Sequence, residues 1–372
     1  MKYKFEDIIF NITEKKKPVE EDKYNYIGLE HLESDNLFIS KWGSDTAPEG
    51  EKIVMKKGDV LFGKRRAYQK KVAISPIDGI FSAHGMVLRP KEDVICKEFL
   101  PFFISSEAFL NEAIRISVGG LSPTVNWKDI KELEFDLPSF AEQKVLAEKL
   151  WAAYEVKQSY LKMIAATEEM VKAQFVEMTG DPRTNPKSWP VKQLPELATY
   201  SIGLTYKPEN ISEDGTIVLR SGNIQNSKID LTDVVRVNCP IKESIYVRKN
   251  DILMCSRNGS AALVGKVAQI KDIEEPMTYG AFMTVIRSDY SDYLYLYFQS
   301  KDFREQVSTG KSSTMNQITQ NMLDKITLPL PGEDIIKKLS EILHQADKSI
   351  SELRKSVDAI DKVIKSLINE NL

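Results

Sequence analysis

The chain carries the same stretch of about 190 residues twice. Ile130-Lys-Glu-Leu-Glu-Phe-Asp-Leu-Pro138 returns as Leu323-Asp-Lys-Ile-Thr-Leu-Pro-Leu-Pro331, an offset of 193 positions. Gly58-Asp-Val-Leu-Phe62 matches Asn250-Asp-Ile-Leu-Met254, and Ile27-Gly-Leu-Glu-His-Leu32 matches Leu219-Arg-Ser-Gly-Asn-Ile224, both at an offset of 192. Met86-Val-Leu-Arg89 pairs with Thr284-Val-Ile-Arg287, and Phe99–Ser106 pairs with Tyr293–Ser300, at offsets of 198 and 194. Five matches in one order point to duplication, with the drift in offset absorbed by loops. A duplicated chain must bury two similar cores.

The repeat divides the 372 residues into a mixed region 1–138, a long helix 139–179, a linker 180–190, a second mixed region 191–331 and a second long helix 332–372. In the mixed regions, short β-branched runs alternate with Gly, Asn, Asp and Pro, which predicts short strands joined by turns. A helix is expected near the end of each, over Lys97–Ile116 and Tyr290–Val307.

The second long helix has the clearest periodicity. Leu339, Leu343, Ala346, Ile350, Leu353, Val357, Ile360, Ile364 and Leu367 step alternately by four and three, the apolar seam of a coiled coil. The first helix has the same register at Leu146, Leu150, Ala153, Lys157, Tyr160, Ile164, Thr167, Val171 and Gln174, interrupted by Lys157, Thr167 and Gln174. It also has a second apolar stripe at Trp151, Tyr154, Leu161 and Ala165. Two readings of this stripe are open: packing on its own mixed domain, or docking a partner through Trp151, Tyr154 and Leu161. If each mixed domain has its ends close together, the helices pair antiparallel. Glu142–Phe175 is 34 residues, a rod of roughly 50 Å, or about 15 base pairs of duplex. Gly180 is placed to cap the first helix, Pro182 and Pro186 stop its continuation, and Trp189 is expected to anchor the second mixed domain.

Other functions are limited by composition. The hydrophobic share of 42% and charged share of 28% describe an ordinary globular chain. No run of about 18 apolar residues appears, so no membrane is expected. The start lacks a secretory signal. Cys96, Cys239 and Cys255 follow no metal or disulfide spacing, which fits a reducing cytoplasm. The net charge of −3 means that any nucleic-acid-binding face must be local. Gly259–Val267 differs from a phosphate loop: five residues separate Gly259 from Gly265, and Val267 stands where Ser or Thr would bind magnesium. Neither a glycine-rich cofactor fingerprint nor HExxH is present, and the adenine-methyltransferase tetrapeptide is missing. The chain is expected to be catalytically empty.

Basic residues concentrate at 56–71, with seven bases against one acid in 16 residues. Lys64, Arg65, Arg66, Lys70 and Lys71 suit guanine and phosphate contact, and Tyr68 and Gln69 add hydrogen-bonding reach. The equivalent second-domain segment holds Arg257, Asn258 and Ser260, with Lys266 beyond. Two similar loops precede the long helices. One carries Ser122, Thr124, Asn126 and Lys128; the other carries Lys311, Ser312, Ser313, Thr314, Asn316 and Gln317. Such residues serve equally as DNA contacts or as turn and helix caps, and both readings stand. His31 and His84 are expected to be structural rather than DNA-reading.

Leu137-Pro-Ser-Phe-Ala-Glu-Gln-Lys-Val-Leu146 resembles the junction of Type I restriction–modification specificity subunits. Gly180–Trp189, Gly58–Phe62 and Gly222–Ile224 resemble further motifs of that family. The second junction, Leu330-Pro-Gly-Glu-Asp-Ile-Ile336, departs from it by lacking Glu-Gln. The resemblance implies an α+β fold with two target-recognition domains joined by two long helices in an antiparallel coiled coil, with internal pseudo-two-fold symmetry. It implies a non-catalytic subunit reading bipartite double-stranded DNA. It further implies two methyltransferase (modification) subunits carrying S-adenosylmethionine, restriction subunits using ATP and magnesium, and no cofactor on this chain. A coiled-coil scaffold or adaptor without DNA readout is the alternative.

Overall fold

The structure, a computed structural model, describes residues 1–308 and 316–372. Two compact units divide the chain: Met1–Met163 with Leu353–Leu372, and Ile164–Glu352. Each unit holds one mixed domain and part of both long helices.

The ends of each mixed domain lie side by side. In the first unit Lys2–Lys4 pairs antiparallel with Glu134–Asp136. In the second, Val191–Gln193 pairs likewise with Thr327–Pro329. Each unit then builds a four-stranded antiparallel sheet. The order is Ile9–Ile12, Met86–Pro90, Val60–Phe62, Val72–Ile74 in the first, and Thr199–Ile202, Met283–Arg287, Ile252–Cys255, Val267–Gln269 in the second. The strands Val60–Phe62 and Ile252–Cys255 are buried throughout, as their unbroken apolar runs require.

One buried ion pair explains two of the repeated segments in each unit. Asp59 accepts from Arg89 Nε and NH2 at 2.8 and 2.8 Å, and from Lys56 N at 2.7 Å. Asp251 accepts from Arg287 Nε at 2.9 Å and from Arg248 N at 2.7 Å. The preceding turn needs positive φ, supplied by Gly58 at 91° and Asn250 at 68°.

The second sheets differ. Both contain a parallel pairing, Tyr26–Ile27 with Gly79–Phe81 and Ile211–Leu219 with Met277–Tyr279. In the first unit Lys52–Met55 joins through Gly79–Phe81, whereas in the second Val235–Val237 joins through Ile211–Leu219.

The expected helix Lys97–Ile116 is broken into Leu100–Ser105 and Glu107–Arg115. Ser106 is extended and its hydroxyl accepts from Phe109 N at 3.1 Å, so it ends one helix and caps the next. Tyr290–Val307 likewise divides into Ser291–Tyr297 and Lys301–Ser308.

The long helices run Phe140–Thr179 and Glu333–Asn369. In the first unit Leu146 and Leu150 share a buried cluster with Ile364 and Ile368. Lys157 lies on the seam, buried, and its ammonium pairs with Asp361 at 2.7 Å. In the second unit Val171 and Phe175 share a cluster with Leu339, Leu343 and Ala346. Gln143 is also buried. It accepts from Cys96 N at 2.8 Å and donates to Val94 O and Pro138 O at 3.1 and 3.0 Å. Glu142 caps the helix start by accepting from Ser139 N at 2.8 Å. Gly180, at φ 82°, ends the first helix, and Trp189 Nε1 donates to Thr179 O at 2.9 Å.

Candidate nucleic-acid interface

Both units hold their arginine loop on one hydrogen-bond scaffold. In the first, Arg65 N donates to His84 O at 3.1 Å, Arg66 N to Pro123 O at 2.7 Å, and Val125 N to Lys64 O at 2.9 Å. In the second, Arg257 N donates to Phe282 O at 3.0 Å, Asn258 N to Asn316 O at 3.3 Å, and Ile318 N to Ser256 O at 2.8 Å. The backbone therefore matches Arg65 with Arg257, His84 with Phe282 and Thr124 with Gln317. These hydrogen bonds fix the register of the two loops. The counterpart of Asn126 is Thr319, and each sits at the N-cap of a short helix.

In the first unit two segments far apart in sequence meet. Arg65 NH2 and Arg66 Nε donate to Ser122 Oγ at 3.5 and 3.3 Å, and Arg65 NH1 lies 3.4 Å from His84 Nε2. Arg66 and Tyr68 are exposed, and Lys64, Arg65, Gln69 and Lys70 are half-buried. Arg66 and Lys70 adopt positive φ, 57° and 52°, and hold the tight turn Ala67–Gln69 between them. Lys71 is turned to the fold, donating to Leu29 O at 2.7 Å. Thr124 is bridged to Arg65 through the backbone, Asn126 Nδ2 donates to Asp129 Oδ2 at 3.3 Å, and Lys128 is exposed.

In the second unit Arg257 Nε donates to Gln317 Oε1 at 3.1 Å, and its guanidinium carbon lies 5.6 Å from the centre of the Phe282 ring. Asn258 Nδ2 donates to Ser221 Oγ at 3.0 Å, its Oδ1 accepts from Ser260 N at 2.9 Å, and Asn316 Nδ2 donates to Gly259 O at 3.2 Å. Lys266 is half-buried at the start of Val267–Gln269. Lys311, Ser312, Ser313 and Thr314 lie outside the described residues.

The loop arginines differ in their partners from Arg89 and Arg287. Arg89 and Arg287 are charge-paired with buried aspartates. Among the described residues Arg65, Arg66 and Arg257 have no carboxylate within ion-pair distance; they are held by neutral groups. Positive charge accumulates around them. Burial lowers the pKa of Lys64, helped by Lys15. Partial desolvation of its otherwise exposed ring, then Arg65, Lys64 and Lys52, hold His84 below the usual imidazole range. Cations positioned without counter-ions can take phosphate or a base edge. No group of three or more His, Cys, Asp or Glu placed to hold a metal occurs among the described residues.

The family model described as "Type I restriction modification DNA specificity domain" matches residues 2–159 and 186–360. The chain belongs to this family. It is 29% identical over 177 residues to the Type I restriction enzyme EcoKI specificity subunit of Escherichia coli K12, covering 44% of this chain and 38% of that protein. It is 29% identical over 181 residues to the StySPI specificity subunit of Salmonella potsdam, covering 45% and 39%. The matched stretches thus span about two fifths of these relatives. In fold, the chain resembles the crystal structure of a Type-I restriction-modification system S subunit from M. genitalium, with a TM-score of 0.52, 15% identity, and coverage of 99% and 94%.

Within this specificity-domain fold, some residues fall as their sequence reading expected and others do not. His31 has a local structural bond: its Nδ1 accepts from Gly28 N at 2.8 Å, as Asn223 Oδ1 accepts from Arg220 N at 2.9 Å. His84 is exposed beside Arg65 rather than in the core. Phe282, 57% exposed, was missed because aromatics are usually assigned to the core; the Met86/Thr284 match would have placed it opposite His84. On the first long helix, Tyr154 is buried, its hydroxyl donating to Asn36 Oδ1 at 2.9 Å and accepting from Leu37 N at 2.6 Å. Trp151 Nε1 donates to Glu98 O at 2.9 Å and its ring packs on Phe102. These two side chains are held by their own domain, whereas Leu161 is exposed.

Proposed function

We propose that this chain reads a bipartite double-stranded DNA sequence as the non-catalytic specificity subunit of a Type I restriction–modification complex, one half-site per mixed domain. The observation carrying this reading is the pair of carboxylate-free arginine loops, one on each copy of the same scaffold. Membership of the DNA specificity family supports it.

The remaining parts follow from this reading. The long helices act as an antiparallel coiled-coil spacer, and the duplicated chain has pseudo-two-fold symmetry. Pairing of Leu146 and Leu150 with Ile364 and Ile368, and of Val171 and Phe175 with Leu339 and Leu343, supports that direction. Two modification subunits bring S-adenosylmethionine and methylate adenine, and restriction subunits bring ATP and magnesium. The docking face on the first helix includes exposed Leu161 rather than Tyr154. The complex works in the cytoplasm; among the described residues no helix is long and apolar enough to cross a membrane.

The test is to sequence methylated adenine in genomes with and without the gene, then exchange residues 1–138 for those of a relative with a different target. A split motif that appears with the gene, and changes in one half after the exchange, is expected. Absence of any gene-dependent motif overturns the reading.

A further inference from the structure

The position opposite the loop arginine differs between the domains while its backbone does not. Arg65 faces an imidazole and Arg257 faces a phenyl ring, although both arginines donate their backbone N–H to the carbonyl of the facing residue. Phe282 is more than half exposed, directly before the central strand Met283–Arg287. Burial of this ring against the fold does not account for it. Its backbone carbonyl accepts from Ser256 Oγ at 3.0 Å and from Arg257 N at 3.0 Å, so the main chain that carries the ring is held beside Arg257.

A phenyl ring cannot contact phosphate or hydrogen-bond a base edge. In a DNA groove it suits the one apolar base-edge group, the thymine methyl. Arg257 beside it has Nε engaged by Gln317 Oε1. Its two terminal amino groups have no carboxylate partner among the described residues, and they have the fork geometry for guanine O6 and N7. The 5.6 Å between guanidinium and ring falls between the spans of one and two base-pair steps of about 3.4 Å each, so both groups can reach bases that are close neighbours on the duplex.

We infer that Phe282 and Arg257 are the specificity-determining pair of the second domain, reading a thymine methyl and an adjacent guanine. This rests on the DNA-reading function proposed above. Gln317 is the positioning residue that aims Arg257. In the first domain the same place is filled by His84 and Arg65, so that domain has no apolar methyl contact there.

The test uses the full chain assembled with its modification subunits and duplexes carrying its own methylation motif. Each thymine is replaced in turn by uracil, which deletes the methyl, and each guanine by 7-deazaguanine, which deletes N7. For the wild type, uracil at one second-half position weakens binding about fourfold, the value of one buried methyl-sized group. Phe282→Ala shows no such loss at that position, and Arg257→Ala loses sensitivity to the neighbouring 7-deazaguanine. Phe282→His, which copies the first domain, loses the uracil effect and keeps the guanine effect. First-half recognition is unchanged in all three. Uracil sensitivity that persists in Phe282→Ala, or that is absent from every second-half thymine, overturns the inference while leaving DNA reading intact. Lack of any sequence preference in the wild-type complex overturns both. The uracil and deazaguanine series on wild type can overturn the inference even if a variant fails to fold.

Discussion

The two mixed domains agree in their main sheet, their buried Asp–Arg pair and the backbone bonds beneath their arginine loops. They differ in the second sheet and in the side chains those bonds present. Asp59–Arg89 and Asp251–Arg287 fix the same turn in both domains. The facing pairs Arg65–His84 and Arg257–Phe282 occupy one backbone site with different chemistry. The comparison teaches that the scaffold and the reading surface are separable: changes at 84 or 282 need not disturb the pairing that holds 65 or 257.

The largest test of this separation is to break the scaffold. Arg89→Ala leaves Asp59, 4% exposed, without its counter-ion, and is expected to cost about 3–5 kcal/mol of folding stability. Arg287→Ala is expected to cost more, because Ser244 O also loses its donor at 3.0 Å. Hydrogen exchange on the full chain, resolved by domain, checks both. Equal protection in Arg89→Ala and wild type would break the comparison at its base. Next comes the junction, where the repeats diverge. Gln143→Ala strips partners from Cys96 N, Val94 O and Pro138 O and is expected to cost about 2–3 kcal/mol. Ile336 stands at the corresponding position and is only partly buried. Ile336→Gln is therefore expected to cost less than about 1.5 kcal/mol, read from urea titrations.

The duplication and the heptad seam were legible because both are local or periodic. The closeness of each domain's ends, expected from the repeat, is displayed by the pairings of Lys2–Lys4 and Val191–Gln193. Gly180 and Trp189 could be placed because helix caps and stops have residue preferences. The register of the loop before the second helix was not legible. Asn316 looks like Asn126, but long-range backbone bonds, not residue type, decide that Thr319 is its counterpart. The second helical stripe was ambiguous for the same reason. Whether Tyr154 faces solvent or Asn36 depends on a residue 118 positions away. The pairing of Arg257 with Phe282 could not be read from spacing, since 24 residues of strand and turn separate them.

The reading surfaces differ in charge density, and salt exposes this. Arg66 is exposed with only neutral partners, so Arg66→Ala is expected to weaken binding to all sequences and lower the slope of log K against log salt by about 1. Arg257→Ala is expected to change sequence preference more than slope. Titrations from 50 to 200 mM salt, on target and scrambled duplexes, distinguish them. Equal slope changes for the two variants would remove the distinction between phosphate and base contact.

The smallest expected effect isolates the one titratable difference. His84 is held below its ordinary value by partial desolvation and by Arg65, Lys64 and Lys52. In the free protein it is thus neutral near pH 7. As pH falls below about 6.5, the unfolded chain takes the proton before the folded one, so His84 lowers folded stability through that window. A DNA phosphate bound near Arg65 is expected to offset the surrounding cations and raise the His84 pKa. Binding then takes up a proton, and affinity through the first domain rises as pH falls from 7.5 to 6. His84→Phe, which copies the second domain, is expected to abolish this rise. Phe282 does not titrate, so Phe282→Ala leaves the pH profile unchanged. Affinity measured across that range on duplexes carrying one intact half-site each checks the prediction. A rise that survives His84→Phe would assign the proton to another group and remove the chemical contrast between the two facing positions.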